Sequence, residues 1–174
     1  GLVLWQRIQA RELDSDLLYT DLMQTRNDVL VAGAGPAGIA AASTAAASGA
    51  RGMLVDEDAR PGGSLLHGRA TIDGIAGDAW SDRTMAALDA HPEVVVLRRA
   101  TAFGYYDDNL VAIEERLADH VAEPAPHQSR GRLWLVRAGQ VVLATGAYER
   151  PLVFADNDRP GIMLASAARA YAAR

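Results

Sequence analysis

Asp28-Val29-Leu30-Val31-Ala32-Gly33-Ala34-Gly35-Pro36-Ala37-Gly38 opens the most informative part of this chain. Its first five residues form an apolar run of strand length. They enter a turn with the spacing G-x-G-x-x-G. The Ala-rich stretch from Ile39 to Ser48 reads as a helix that stops at Gly49, and a second apolar strand, Gly52 to Val55, ends on Asp56. Strand, glycine turn, helix, strand and acid in this order make a dinucleotide-binding unit.

Each position has a physical task. Gly33 allows the tight turn out of the strand, Gly35 lacks the Cβ that would keep a pyrophosphate away, and Gly38 lets helix and sheet approach. The helix start offers free N–H groups and a positive dipole end. Pro36 suits the first helical position, where its missing N–H costs nothing. Gly33, Ala34, Gly35, Pro36, Ala37 and Gly38 are therefore candidate phosphate-binding residues. Asp56, eighteen residues after Gly38, stands where a carboxylate accepts from the adenosine ribose hydroxyls, with Glu57 beside it. A carboxylate there repels a 2′-phosphate, which disfavours NADP. Gly62-Gly63, followed by Ser64, is a loop that passes close to something; alone it reads equally well as an ordinary turn.

The composition bounds the rest. The 174 residues suffice for one domain with a core, at 49% hydrophobic and 22% charged residues. A formal charge of −5 without a basic run argues against nucleic-acid or anionic-membrane partners. The chain has no cysteine, which excludes disulfides, thiolate-held clusters and dithiol chemistry within it and fits a reducing, cytoplasmic setting. No signal peptide is apparent, and the apolar run from Val29 to Ala42 is too short and Gly-rich to span a bilayer. His67, His91, His120 and His127 show no metal-ligand spacing.

Residues 1–27 read as a linker or short helix, from the helical spacing of Leu4 with Ile8 and Leu13 with Leu17. Ala79 to Ala90 reads as a helix ended by His91-Pro92, with Trp80 in the core. Glu93 to Leu97 is a strand. Thr101 to Tyr106 and Leu110 to Glu114 flank the turn Asp107-Asp108-Asn109, with Phe103 and Tyr105 on one face and Tyr105 and Tyr106 as packing residues. Residues 116–131 form a surface loop. Arg132 to Ala138 is extended, and Gln140 to Leu143 reads as a strand covered on both faces, running into Ala144-Thr145-Gly146. The expected fold is α/β: a Rossmann-like parallel sheet with helices on both faces and an inserted antiparallel β-meander. Arg150 is expected to make a structural salt bridge, for instance to Asp156, or to meet a phosphate.

The glycine turn, Asp56, Gly62-Gly63 and Ala144-Thr145-Gly146 resemble the flavoproteins with two dinucleotide-binding domains. The stretches Arg99 to Asn109, Ala144 to Ala155 and Asn157 to Ser166 are more specific. They resemble the alpha subunits of heterotetrameric sarcosine oxidases, departing mildly at Ala32, Ala102 and Tyr148, the last in place of a frequent His. The resemblance implies a nucleotide domain over residues 28–174, cut short at its C-terminal end, within a longer polypeptide. It implies NAD in this domain, with FAD, FMN and tetrahydrofolate elsewhere in a complex with beta, gamma and delta subunits. That complex would oxidise sarcosine to glycine and form hydrogen peroxide, with no catalytic residue on this chain. It places Ala102 against adenine through its main chain, and Gly62, Gly63, Thr145 and Gly146 along the groove.

Two alternatives stay open. FAD shares its ADP half with NAD, so the glycine turn equally fits an FAD-binding subunit of a related amine or imino-acid dehydrogenase acting on opines, proline or glycine. The chain would otherwise be an assembly module that binds no nucleotide when isolated.

Overall fold

A computed structural model describes residues 20–125 and 128–172. Strand β1 (Thr20–Ala32) leads into helix α1 (Pro36–Ala47) and strand β2 (Gly52–Val55). A short 3-10 turn (Gly63–His67) and a two-stranded ribbon, β3 (Thr71–Ile72) with β4 (Ile75–Ala76), precede helix α2 (Gly77–Asp89). Then come β5 (Val94–Leu97), β6 (Ala100–Tyr106), β7 (Leu110–Arg116), β8 (Gly131–Leu143) and helix α3 (Ala165–Ala172).

Six strands form one sheet in the order β5-β2-β1-β8-β7-β6. The first four are mutually parallel, and β7 and β6 continue the same sheet antiparallel. The meander is thus an extension of the main sheet. It is carried by the far halves of β1 and β8, which stay paired from Thr20↔Gly131 to Ala32↔Leu143.

Side-chain alternation along the strands builds two cores. Val31 and Leu54 face one way and bury Ile39, Ala42 and Ala46 of α1 and Met85 and Leu88 of α2, with Trp80 packed against them as expected. Leu30, Ala32, Met53, Val55 and Leu97 face the other way, onto Val111, Ile113, Trp134 and Val136 of the antiparallel arm. The α/β class is as read from the sequence. The packed helices, however, lie on one face only, and the arm covers the other. Each fully buried Leu, Ile or Met here stabilises by about 1.5–3 kcal/mol.

Several boundaries differ from the sequence reading. Residues 20–27 continue β1, where a linker or short helix was expected. That half of the strand is mostly exposed and shows no apolar alternation; pairing with β8 holds it, a partner more than a hundred residues away. Residues 1–19, with Leu4, Ile8, Leu13 and Leu17, lie outside the described residues, as does His127. Helix α1 starts at Pro36, three residues before the expected Ile39, and ends where Gly49 takes a φ of 78°. Leu143 is 70% exposed, so the end of β8 is not covered on both faces. Tyr105 and Tyr106 are also exposed, at 59% and 55%, because they sit on edge strand β6. The Tyr105 hydroxyl donates to Asn109 Oδ1 at 2.6 Å, and the Tyr106 ring lies over Gly104. Their packing is local to the turn.

Asp28 fixes the start of the pairing between β1 and β2. Its carboxylate accepts from the backbone N of Arg51 at 2.9 Å and pairs with the Arg51 guanidinium at 2.7 Å. Those Arg51 bonds hold its pKa down at about 2. Among the described residues, no helix is long and apolar enough to cross a membrane.

Candidate functional site

The site lies at the C-terminal ends of β1, β2 and β8, the end at which open α/β sheets take their ligands. Three chain segments meet there. The first is the turn between β1 and α1. Gly33 has a φ of 102°, and a Cβ on it would lie 2.3 Å from the Ala144 carbonyl oxygen, so only glycine fits between the turn and β8. A Cβ on Gly38 would lie 1.7 Å from the Gly33 oxygen, which brings α1 directly onto the turn. Gly35 caps α1 at its N-terminus with φ −74° and ψ −176°. A Cβ there would meet nothing within 4 Å. The space over Gly35 is therefore open beside the first N–H groups of α1, which have no carbonyl in their own helix to bond.

The second segment follows β2. The half-buried Asp56 turns its carboxylate onto the glycine turn, where Oδ2 accepts from the N–H of Ala34 at 2.5 Å. Oδ1 accepts from the N–H of Asp58 at 3.0 Å. Each carboxylate oxygen accepts more than one hydrogen bond, so Asp56 retains capacity for a ribose hydroxyl. Beyond it, the Gly62 N–H donates to the Ala34 oxygen at 2.8 Å, and a Cβ on Gly63 would come within 3.1 Å of the Gly35 Cα. The glycine pair thus docks on the first turn, and the exposed Ser64 follows it in the 3-10 turn.

The third segment leaves β8. The Ala144 N–H donates to the Ala32 oxygen at 2.8 Å, and Thr145 passes beside Gly33. Gly146, at φ 72°, releases the chain into an exposed segment. Of the residues singled out in the sequence, Gly33, Ala34, Gly35, Pro36, Ala37, Gly38, Asp56, Gly62, Gly63, Ala144 and Thr145 converge. Ala102 does not join them by its side chain: it lies exposed on β6 at an irregularity of register. The Ala100 N–H donates to the Asp56 backbone carbonyl oxygen at 2.8 Å, so the main chain of β6 starts beside the end of β2.

Glu57 has a partner that the sequence did not reveal. The Tyr148 hydroxyl donates to its Oε1, bridging the end of β2 and the segment after β8. That bond, with the charge of Glu57 behind it, raises the Tyr148 pKa. Arg116 was also unforeseen. Its guanidinium donates to the Glu57 carbonyl oxygen at 2.9 Å and ties the antiparallel arm to the acidic loop. The expected pairing of Arg150 with Asp156 does not form; Asp156 pairs with Arg159 at 3.0 Å, one helical turn away in sequence. No signal short of the fold would have found the Tyr148 and Arg116 contacts, since their partners are 91 and 59 residues distant.

The glycine turn, the glycine pair and the Asp56 carboxylate, brought together beyond the ends of parallel strands, define a dinucleotide-binding domain of the flavoprotein kind. The residues fit such a ligand: open space over Gly35 admits a diphosphate, and Asp56 is already oriented on the turn that would hold it. The chain belongs to the FAD dependent oxidoreductase family, which matches residues 28–138.

Relatives extend the comparison. The chain is 56% identical over 144 residues to the sarcosine oxidase alpha subunit of Rhizobium meliloti strain 1021, covering 83% of this chain and 15% of that protein. It is 36% identical to an opine oxidase subunit from Agrobacterium tumefaciens strain Ach5, covering 82% of this chain and 28% of that protein. The chain thus spans less than a third of the length of either relative. Among solved structures, an L-proline dehydrogenase from P. horikoshii superposes with a TM-score of 0.62 at 23% identity, over 81% of this chain and 27% of that one; this likeness shows the fold alone.

Proposed function

We propose that this chain is the domain that holds NAD in an enzyme oxidising sarcosine. The observation carrying the dinucleotide is the Asp56 carboxylate set on the glycine turn at Ala34, with Glu57 and Asp58 following it. Three consecutive acids at the ribose end make a negative rim that disfavours a 2′-phosphate. The choice of sarcosine rests on likeness to the sarcosine oxidase alpha subunits, and NAD is what the resemblance of the sequence motifs implies for this domain. In this reading Gly33 to Gly38, Gly62 and Gly63 surround the diphosphate, Asp56 and Glu57 face the adenosine ribose, and Ser64, Ala102, Thr145 and Gly146 border the groove.

The whole enzyme would oxidise the amine of sarcosine, releasing glycine and a one-carbon unit as formaldehyde or onto tetrahydrofolate. Oxygen would be reduced to hydrogen peroxide. This chain holds and orients a dinucleotide; amine oxidation belongs to a different polypeptide, in a complex with beta, gamma and delta subunits placed in the cytoplasm. A second reading, FAD in this same cleft, is favoured by the family match over residues 28–138.

A melting comparison with NAD, NADP, FAD and ADP tests both. A ligand at a hundred times its dissociation constant adds about 2.7 kcal/mol, a rise of roughly 5–11 °C for a chain of this size. NAD is expected to raise the midpoint more than NADP. A larger rise with FAD than with NAD selects the second reading. No rise with any of the four contradicts dinucleotide binding and leaves an assembly module.

A further inference from the structure

Helix α2 contains a hydroxyl that the site as described does not use. Ser81 is fully buried, one of only two buried polar residues among those described. Its Oγ donates to the Pro61 carbonyl oxygen at 3.3 Å. A Cβ on Gly62 would come within 3.0 Å of that same Oγ, so the hydroxyl lies against the turn itself. One turn earlier on α2, Gly77 makes room for Leu65: a Cβ there would meet the Leu65 Cδ2 at 2.9 Å. One residue later, Asp82 pairs with Arg60 at 2.8 Å on the surface. The N-terminal half of α2 therefore backs the segment from Arg60 to Leu65. On its opposite side that segment bonds Ala34 through the Gly62 N–H and packs Gly63 on Gly35.

We propose that Ser81 is a positioning residue for the diphosphate of the bound dinucleotide. Its hydroxyl anchors Pro61 and so holds the Gly62-Gly63 turn against Gly35, and the two glycine turns keep the spacing a diphosphate needs. Ser81 does not touch the ligand. The assignment rests on the dinucleotide reading above. Ser81 lies on the buried face of α2 with Gly77, Met85 and Leu88, and its hydroxyl is the polar group that this face turns onto Pro61 and Gly62.

The test is calorimetric titration of the 174-residue chain and its variants with ADP-ribose, and with adenosine as a probe lacking the diphosphate. Ser81→Ala is expected to weaken ADP-ribose binding about three- to tenfold, the scale of one lost hydrogen bond, and to leave adenosine unchanged. Ser81→Cys keeps the volume with a weaker donor and should fall between the two. Arg83→Gln, an exposed neighbour on α2, should stay within about twofold of the parent for both ligands. If Ser81→Ala does not fold, Ser81→Cys makes the same comparison. A Ser81 variant that binds ADP-ribose like the parent, or that loses both ligands equally, overturns the proposal while leaving the dinucleotide reading intact. A parent chain that does not bind ADP-ribose overturns both.

Discussion

Gly38→Ala lowers the thermal midpoint of the ligand-free chain by about 6–12 °C, the equivalent of about 3 kcal/mol of overpacking strain. The new methyl would sit 1.7 Å from the Gly33 oxygen, 2.9 Å from its carbon and 3.3 Å from the Ala144 Cβ. Two of these atoms are backbone, so no rotamer change relieves the clash. Helix α1 has to move off the turn, and Ile39, fully buried on the next residue, moves with it. Gly35→Ala is the matched contrast. Its φ of −74° suits any residue, and its Cβ would enter open space. The ligand-free midpoint should therefore change by no more than about 2 °C, within the usual range for unstrained substitutions. Because the new methyl enters the space assigned to the diphosphate, dinucleotide binding should fall by about tenfold or more. Thermal melts with and without NAD separate the two glycines. Equal losses of stability would contradict the different tasks assigned to them.

Asp56→Ala acts on both ligand and fold. The Ala34 N–H is in a fully buried residue and loses its acceptor, which costs about 1–3 kcal/mol. The ribose loses a charge-assisted hydrogen bond worth about 1.5–3 kcal/mol, so NAD affinity falls roughly ten- to a hundredfold. NADP should lose less, because the repulsion of its 2′-phosphate disappears with the carboxylate. Titration of parent and variant with both nucleotides measures the narrowing. An unchanged NAD-to-NADP ratio would remove Asp56 from the ribose.

These three substitutions also mark what the sequence could disclose. The spacing from Gly33 to Asp56 is local, and Gly38 answers a steric demand set within the same βαβ unit, so the turn, α1, β2 and the acid were legible; the Ala144 carbonyl that crowds Gly33 comes from the distant end of β8. The helix α2 and the 107–109 turn announced themselves by Pro92 and by Asp-Asp-Asn in the same way. Long-range partners were not legible. Thr20 to Asn27 form a strand because β8 pairs with them, and the mostly exposed half-strand shows no alternation of its own. The one-sided helix layer follows from the antiparallel arm turning over Leu30, Met53 and Val55, which strand periodicity cannot distinguish from cover by a helix. Tyr105 and Tyr106 looked like packing residues because aromatic strands usually pack; an edge position leaves them exposed. Arg116 and Tyr148 reach the Glu57 loop from elements distant in sequence, and no motif marks them or the buried Ser81.

The ADP half of a dinucleotide is placed over the end of β1. Amide chemical-shift mapping by NMR, with ADP added to the isotope-labelled 174-residue chain, tests that placement residue by residue. The largest shifts are expected at Ala34 to Gly38, Asp56, Glu57, Gly62, Gly63 and Thr145. Shifts centred instead on the open hollow of Gln24, Thr25, Arg26, Leu110, Leu135 and Arg137 at the far end of the arm would contradict it.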